Sequence, residues 1–170
     1  MDALNAILGR RSIRQFQPQL VPDELIAELL KAAMAAPSAK NEQPWEFVVV
    51  TKRAMLDAIA LDHPYASMFS QAPLAIFVCS NMQRIKVPEY WMQDCSAATQ
   101  NILIAARALG LGTVWVGGSP RDSREIFFRE LLGLPEHIIP VTLVAVGYPA
   151  EEKSPAERFD PSRIHYNGWK

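Results

Sequence analysis

The residues with the most chemical reach stand together near the start of the chain. Arg10-Arg11-Ser12-Ile13-Arg14-Gln15-Phe16 places three guanidinium groups and a hydroxyl within five positions, in a chain of 170 residues with a formal net charge of −1. If extended, the segment turns Arg10, Ser12 and Arg14 to one side, because side chains alternate along an extended backbone. Such an edge can meet a dianionic group and an electron-rich ring together. Arginine suits the first task, since its planar fork binds phosphate through two parallel hydrogen bonds. The same residues also make a solvated basic turn, and the motif alone leaves both readings open. Two further stretches could contribute. Pro37-Ser38-Ala39-Lys40-Asn41-Glu42-Gln43-Pro44-Trp45 is a polar loop of donors bounded by prolines, or a plain helix-to-strand connection. Trp115-Val116-Gly117-Gly118 sits at an expected strand end, where missing side chains let a flat ligand approach the backbone. An ordinary turn is the plainer account there. Arg158, late in the chain, could return to add charge to a phosphate.

Other chemistries are not legible. There is no G-x-S-x-G, no cysteine near a histidine in sequence, and no Walker lysine motif. Gly110-Leu111-Gly112 has the opening spacing of a dinucleotide fingerprint, but it follows a helix and lacks the third glycine. His63, His137 and His165 are scattered without metal-ligand spacing and read as surface or satisfied polar residues. No catalytic side chain and no metal site is nominated. Cys79 and Cys95 fall on an expected strand and helix and read as inert core residues. Two cysteines are too few for a disulfide framework, which suggests a reducing cytoplasm. The near-neutral charge argues against broad nucleic-acid binding. No apolar run is long enough for a bilayer, and Met1-Asp2-Ala3-Leu4 lacks the start of a signal peptide.

These residues need a scaffold, and the chain can supply one. Its length suits one domain; a chain near 150 residues buries roughly 68–70% of its unfolded surface. Apolar residues make up 49% and charged residues 21%, as in ordinary globular proteins. Asp2 caps a first helix that stops at Gly9. Pro22-Asp23-Glu24 opens a second, with Leu25, Ile26, Leu29, Leu30, Ala33 and Met34 at helical spacing. Further helices are expected over 52–61 and 89–109, and another from Ser119 and Pro120. The helix over 89–109 is small or apolar on nearly every side, so it should be central. Gln100 and Asn101 inside it read as satisfied core amides. Strands are expected over 46–51, 73–80, 112–118 and 138–146, the last interrupted by Pro140. Their continuous apolar runs suggest cover on both faces. The tail, 150–170, carries Lys153, Arg158, Arg163 and the aromatics Phe159, Tyr166 and Trp169 without periodicity. It is either frayed or wraps another surface.

Taken in order, RRSIRQF, PSAKNEQPW, WMQDCSAATQNILIAARALGLGTVWVGG and the ending GYP…RFDPSRIHYNGW resemble the short-chain members of the nitroreductase superfamily over almost the whole chain. The resemblance implies an α+β fold, a three-layer α/β/α sandwich with a mainly antiparallel central sheet. It implies one domain over 1–170, with 150–170 as a C-terminal arm, in an intertwined homodimer that binds two FMN molecules at its interface. Carried over residue by residue, Arg10, Arg11, Ser12 and Arg14 meet the flavin from one chain. Arg10 and Ser12 hold the phosphate and ribityl end, and Arg14 lies near the N1–C2 edge of the ring. Pro37, Ser38, Ala39 and Asn41 come from the other chain. Trp115, Val116, Gly117 and Gly118 pass beside the ring near its N5 edge. Arg158 completes the phosphate site, with Lys153 a further candidate. The implied activity is a ping-pong cycle. NADH or NADPH gives a hydride to flavin N5 and leaves, and a nitro-aromatic, quinone or related small molecule takes its place. The long insertions that shape the pockets of larger members have no counterpart here, so the acceptor and the nicotinamide preference stay open. Reduction of an ene or iminium acceptor, or a flavin-binding homodimer without turnover, are the other readings.

Overall fold

Four apolar runs pair into one antiparallel sheet: β1 (Trp45–Val50), β2 (Leu74–Asn81), β3 (Gly112–Gly117) and β4 (Ile138–Gly147), in the order β1-β2-β4-β3. The computed structural model describes residues 1–117 and 123–169. Among these, five helices surround the sheet: α1 (Ala3–Gly9), α2 (Asp23–Met34), α3 (Arg53–Asp62), α4 (Trp91–Ala108) and α5 (Ser123–Leu132). Each strand bound falls within one residue of the sequence expectation. The expected helix start at Ser119 and Pro120 lies outside the described residues, as does Gly118.

The strands read as continuous apolar runs because neighbouring residues face opposite layers. Leu74, Ile76 and Val78 of β2, with Val144 and Val146 of β4, pack against Leu29 and Ala33 of α2 and Ala98, Ile102 and Ala106 of α4. Ala75, Phe77 and Cys79 of β2, with Leu143 and Ala145 of β4, face Leu56 and Ile59 of α3 and Phe128 of α5. Helices thus cover both faces, and each fully buried Phe or Leu contributes about 1.5–3 kcal/mol.

Asn101 and Thr99 inside α4 find partners; Gln100 is half-buried rather than a core residue. Asn101 Nδ2 donates to Ala32 O at 2.9 Å, and the Thr99 and Thr142 hydroxyls share a hydrogen bond at 2.8 Å. The Cys79 and Cys95 thiols are fully buried, and burial pushes both up to about 12, which leaves them inert. Pro140 does not interrupt β4. The β2–β4 register shifts beside it, where Val78 pairs with Thr142 and Cys79 with Pro140. Pairing with β3 has already ended at Gly117–Thr142, so the missing N–H of Pro140 breaks no ladder on that side. Beyond β4 the described tail holds one turn of 3-10 helix, Pro161–Arg163. Among the described residues no helix is long and apolar enough to cross a membrane.

Candidate functional site

The arginine segment leaves α1 in an extended conformation and docks along the outer edge of β3. Ile13 N donates to Thr113 O at 2.9 Å, and Ser12 bridges Thr113 in the parallel sense. Ile13 and Phe16 are buried and anchor the segment, which leaves Arg14 exposed on its other side. Phe16 pairs antiparallel with Pro149, Gln17 N donates to Tyr148 O, and Ala150 N donates to Gln15 O. The start of the tail therefore acts as a short strand against the arginine motif.

Two charged tail residues tighten this dock. The Glu151 carboxylate accepts Arg14 N–H at 2.6 Å and Gln15 N–H at 3.3 Å. Lys153 Nζ donates to Ser12 O at 2.7 Å and pairs with Glu151 at 3.1 Å. Lys153, a candidate for phosphate contact in sequence, is thus engaged in holding the backbone. The Arg14 N–H, foremost, holds the Glu151 carboxyl below the ordinary glutamate range; Lys153 and the Gln15 N–H act the same way, against an opposing effect of burial. The lowered folded-state value means the ionised clamp adds stability above the unfolded pKa of about 4.3. That stability is lost as pH falls through the lower, folded value. Unfolding midpoints measured against pH should therefore drop more steeply in the acid window for wild type than for Glu151→Gln. Identical acid slopes would remove Glu151 from this role.

The guanidinium groups gather in a cavity of about 310 Å³, lined among others by Arg10, Arg11, Arg107, Gly112 and Lys153. Burial, foremost, pushes the Arg10 guanidinium below the usual arginine value, and the like charges of Arg158 and then Arg11 add to this. None of the ion pairs among the described residues engages Arg10, Arg11, Arg14 or Arg158. Arg11 Nε donates to Ser154 O and its Nη1 to Arg10 O, both at 2.7 Å, while its buried Nη2 has no partner. Glu151 and Glu152 also line this cavity, without an ion pair to either arginine among the described residues. Buried donors are almost always satisfied, so an orphan beside arginines that no described carboxylate pairs points to an anion as the missing partner.

A second cavity, of about 470 Å³, opens beside the other end of the segment, between Arg14, Trp115, Val116, Gly117, His63 and Tyr65. Arg10 and Arg14 are four residues apart on an extended chain, a span of about 13 Å. A Cβ added at Gly117 would meet nothing within 4 Å, so this backbone is open to close approach. In sequence, Asp62-His63-Pro64-Tyr65 signals only the end of the helix expected over 52–61, and nothing there marks the wall from His63 to Met68. His63 is a buried, satisfied polar residue. His165 stacks on Trp169 in the tail, with centroids 4.0 Å apart, and His137 is half-buried; neither lines these cavities. Among the described residues no group of three or more His, Cys, Asp and Glu converges as a metal site requires.

The Pro37 loop stands apart. Pro37, Ser38 and Ala39 face Tyr90, Asp94 and Ala97 of the α4 end across a shallow, apolar depression of about 410 Å³. The Asp94 carboxylate accepts Ala39 N–H and the Ser38 hydroxyl accepts Gln43 N–H, both at 3.0 Å. These bonds hold Lys40, Asn41 and Gln43 at φ of 49°, 57° and 48°, a left-handed conformation costly for lysine and glutamine. Asp94 and Arg107 are thirteen residues apart on α4, about 20 Å at 1.5 Å per residue. Within one chain, then, Arg10 and Arg11 line one cavity while the exposed Arg158 lies outside its lining, Arg14 joins Trp115, Val116 and Gly117, and Pro37, Ser38, Ala39 and Asn41 lie at the far end of the central helix.

The pattern that defines the Nitroreductase family matches residues 7–63 and 57–148. A protein of Methanothermobacter thermautotrophicus named "Putative NADH dehydrogenase/NAD(P)H nitroreductase" is 50% identical over 169 residues, 99% of this chain and 88% of the relative. A crystal structure bearing the same name from Parabacteroides distasonis superimposes with a TM-score of 0.94 at 41% identity, covering 98% of each chain. A structure from Desulfovibrio desulfuricans, solved in complex with FMN, superimposes with a TM-score of 0.85 at 29% identity, covering 100% of this chain and 99% of that one.

Proposed function

The chain belongs to the nitroreductase family, and on that footing we propose that it is an FMN-dependent oxidoreductase that carries reducing equivalents from NADH or NADPH to a nitro-aromatic, quinone or related small molecule. One observation carries the cofactor assignment. Guanidinium groups without ion pairs among the described residues, with Arg11 Nη2 buried and unpartnered, line one cavity, and a second cavity, its backbone bare at Gly117, opens at the other end of the same arginine segment. The residues present fit a flat ring that bears a phosphate.

Arg10, Arg11 and Arg158 hold the phosphate, whose charge of about −1.5 to −2 two or three guanidinium groups offset. Ser12 meets the ribityl chain. Arg14 faces the N1–C2 edge of the ring, and its charge favours the two-electron reduced state, in which that edge is negative. Each ~30 mV of such preference is about 1.4 kcal/mol for a two-electron couple. Trp115, Val116 and Gly117 run beside the ring. When bound, FMN supplies the hydride chemistry, so the protein's own part is placement, charge and exclusion of water. No acid–base side chain is required for hydride transfer.

A second copy of the chain supplies Pro37, Ser38, Ala39 and Asn41, which one copy holds about 20 Å along α4 from the arginine cavity. The arm over 150–170 reaches toward that partner. Its aromatics Phe159, Tyr166 and Trp169 are 82%, 79% and 87% exposed, an apolar surface that association would cover.

The expected behaviour is direct to observe. Purified protein reconstituted with FMN is yellow and elutes as a dimer. NADH or NADPH bleaches it without oxygen, and a nitro-aromatic or quinone restores the colour. Protein that takes up no FMN sinks the reading, and protein that stays yellow with both nicotinamides is a binder rather than an enzyme.

A further inference from the structure

β3 is an edge strand, so one side of its backbone has no strand partner. Thr113 O accepts from Ile13 on that side, and alternation along a strand turns Trp115 and Gly117 the same way. The arginine segment therefore holds the edge at Thr113. At the other end, Gly117 O faces His63 Nε2 at 3.2 Å. Between these two anchors the backbone of Trp115 looks into the ring-side cavity.

His63 is only 2% exposed, and all its polar atoms are engaged. Its own N–H closes α3 on Ile59 O. Tyr65 N–H donates to its Nδ1 at 3.1 Å, so the ring proton must sit on Nε2, facing the Gly117 carbonyl. The imidazole lies over the fully buried Phe128, with centroids 6.3 Å apart and planes at 20°, which fixes its orientation from below. We propose that His63 is a positioning residue for the ring-side cavity: its Nε2–H sets the Gly117 carbonyl, so the free edge of β3 keeps the separation from the Tyr65 wall that a flat ring requires. The proposal rests on the FMN reading above and extends it to a residue that acts through the Gly117 carbonyl.

Asparagine reproduces the position of histidine Nδ1 and glutamine that of Nε2, so the two contacts can be separated. His63→Gln should keep FMN affinity within about twofold of wild type, while His63→Asn loses about fivefold, one net buried hydrogen bond. The flavin midpoint potential should shift in the Asn variant and return in the Gln variant. Affinity is read by quenching of flavin fluorescence as apoprotein is titrated with FMN. Equal affinities and potentials in all three proteins, equal losses in both variants, or a loss in Gln alone would each overturn the proposal. Should a variant not fold, nitrogen NMR of wild-type His63 decides instead. The proposal requires an Nε2–H ring whose resonances move when FMN is added, and an Nδ1–H ring or unmoved resonances overturn it. Wild-type protein that binds no FMN would fail the functional reading itself, a different outcome from these.

Discussion

Replacing Arg10 by alanine weakens FMN binding by roughly 10- to 100-fold, the value of a hydrogen bond to a charged group. Arg10 is half-buried, shares its surroundings with Arg11 and Arg158, and engages no carboxylate among the described residues. A cation so placed costs the apoprotein desolvation and repulsion, and only an anionic ligand returns that energy. The substitution should accordingly leave the unfolding midpoint of the apoprotein unchanged or slightly raised while affinity falls. Arg158 is exposed, so Arg158→Ala should cost less and its contribution should fade with added salt, which screens exposed charges more than buried ones. The readouts are flavin fluorescence quenching at two ionic strengths and thermal unfolding without ligand. An Arg10→Ala protein that binds FMN as wild type does would move the phosphate away from this cavity.

The parts of the molecule legible in sequence are those whose signal is local. The run Leu74-Ala75-Ile76-Phe77-Val78 announces a buried strand, because both faces of β2 are covered and no alternation is needed. The similar run Phe47-Val48-Val49-Val50 lies on the edge strand β1, where Phe47 and Val48 are half-buried and Val49 is exposed, so the expected cover on both faces fails there. α2 is legible through Pro22, Asp23 and Glu24 at its start and its apolar spacing. The continuity of β4 through Pro140 was not, since a proline's effect depends on which neighbour would have accepted its N–H. That follows only from strand order, which places β3 short of it.

The candidate site divides in the same way. Arginine types and spacing expose the cation cluster, but what orients it is remote: Glu151 reaches Arg14 and Lys153 reaches Ser12 across 137 and 141 residues. A lysine that pairs a backbone carbonyl looks, in sequence, like one free to bind phosphate. His63 followed by proline signals only the end of a helix, and its second use appears once α3, β3 and α5 meet around it. The left-handed turn at Lys40, Asn41 and Gln43 is likewise hidden, because of the three only asparagine favours that conformation. Its support comes from Asp94, more than fifty positions later.

Gly112 couples β3 to the arginine segment. In sequence it belongs to a failed dinucleotide fingerprint; in the structure Gly110, at φ 79°, ends α4, and Gly112 opens β3 beneath the arginine segment. A Cβ at position 112 would lie 2.9 Å from Ile13 Cγ2 and 3.0 Å from Ile13 Cβ. Ile13 is branched at that carbon and buried, so it cannot swing aside without dragging the backbone that carries Ser12 and Arg14. Gly112→Ala should therefore destabilise the fold by about 1–3 kcal/mol, the usual cost of overpacking a core. It should also weaken FMN binding, because the displaced segment carries the guanidinium groups. Gly117→Ala makes the opposite prediction from the same strand. A Cβ there meets nothing within 4 Å in the chain, so thermal stability should hold. A flavin lying on that backbone would meet the new methyl group, and affinity should fall alone. Unfolding midpoints and FMN titrations of both variants decide the matter. A Gly117→Ala protein with unaltered affinity would take the ring off β3, and a Gly112→Ala protein as stable as wild type would show that the arginine segment does not depend on this contact.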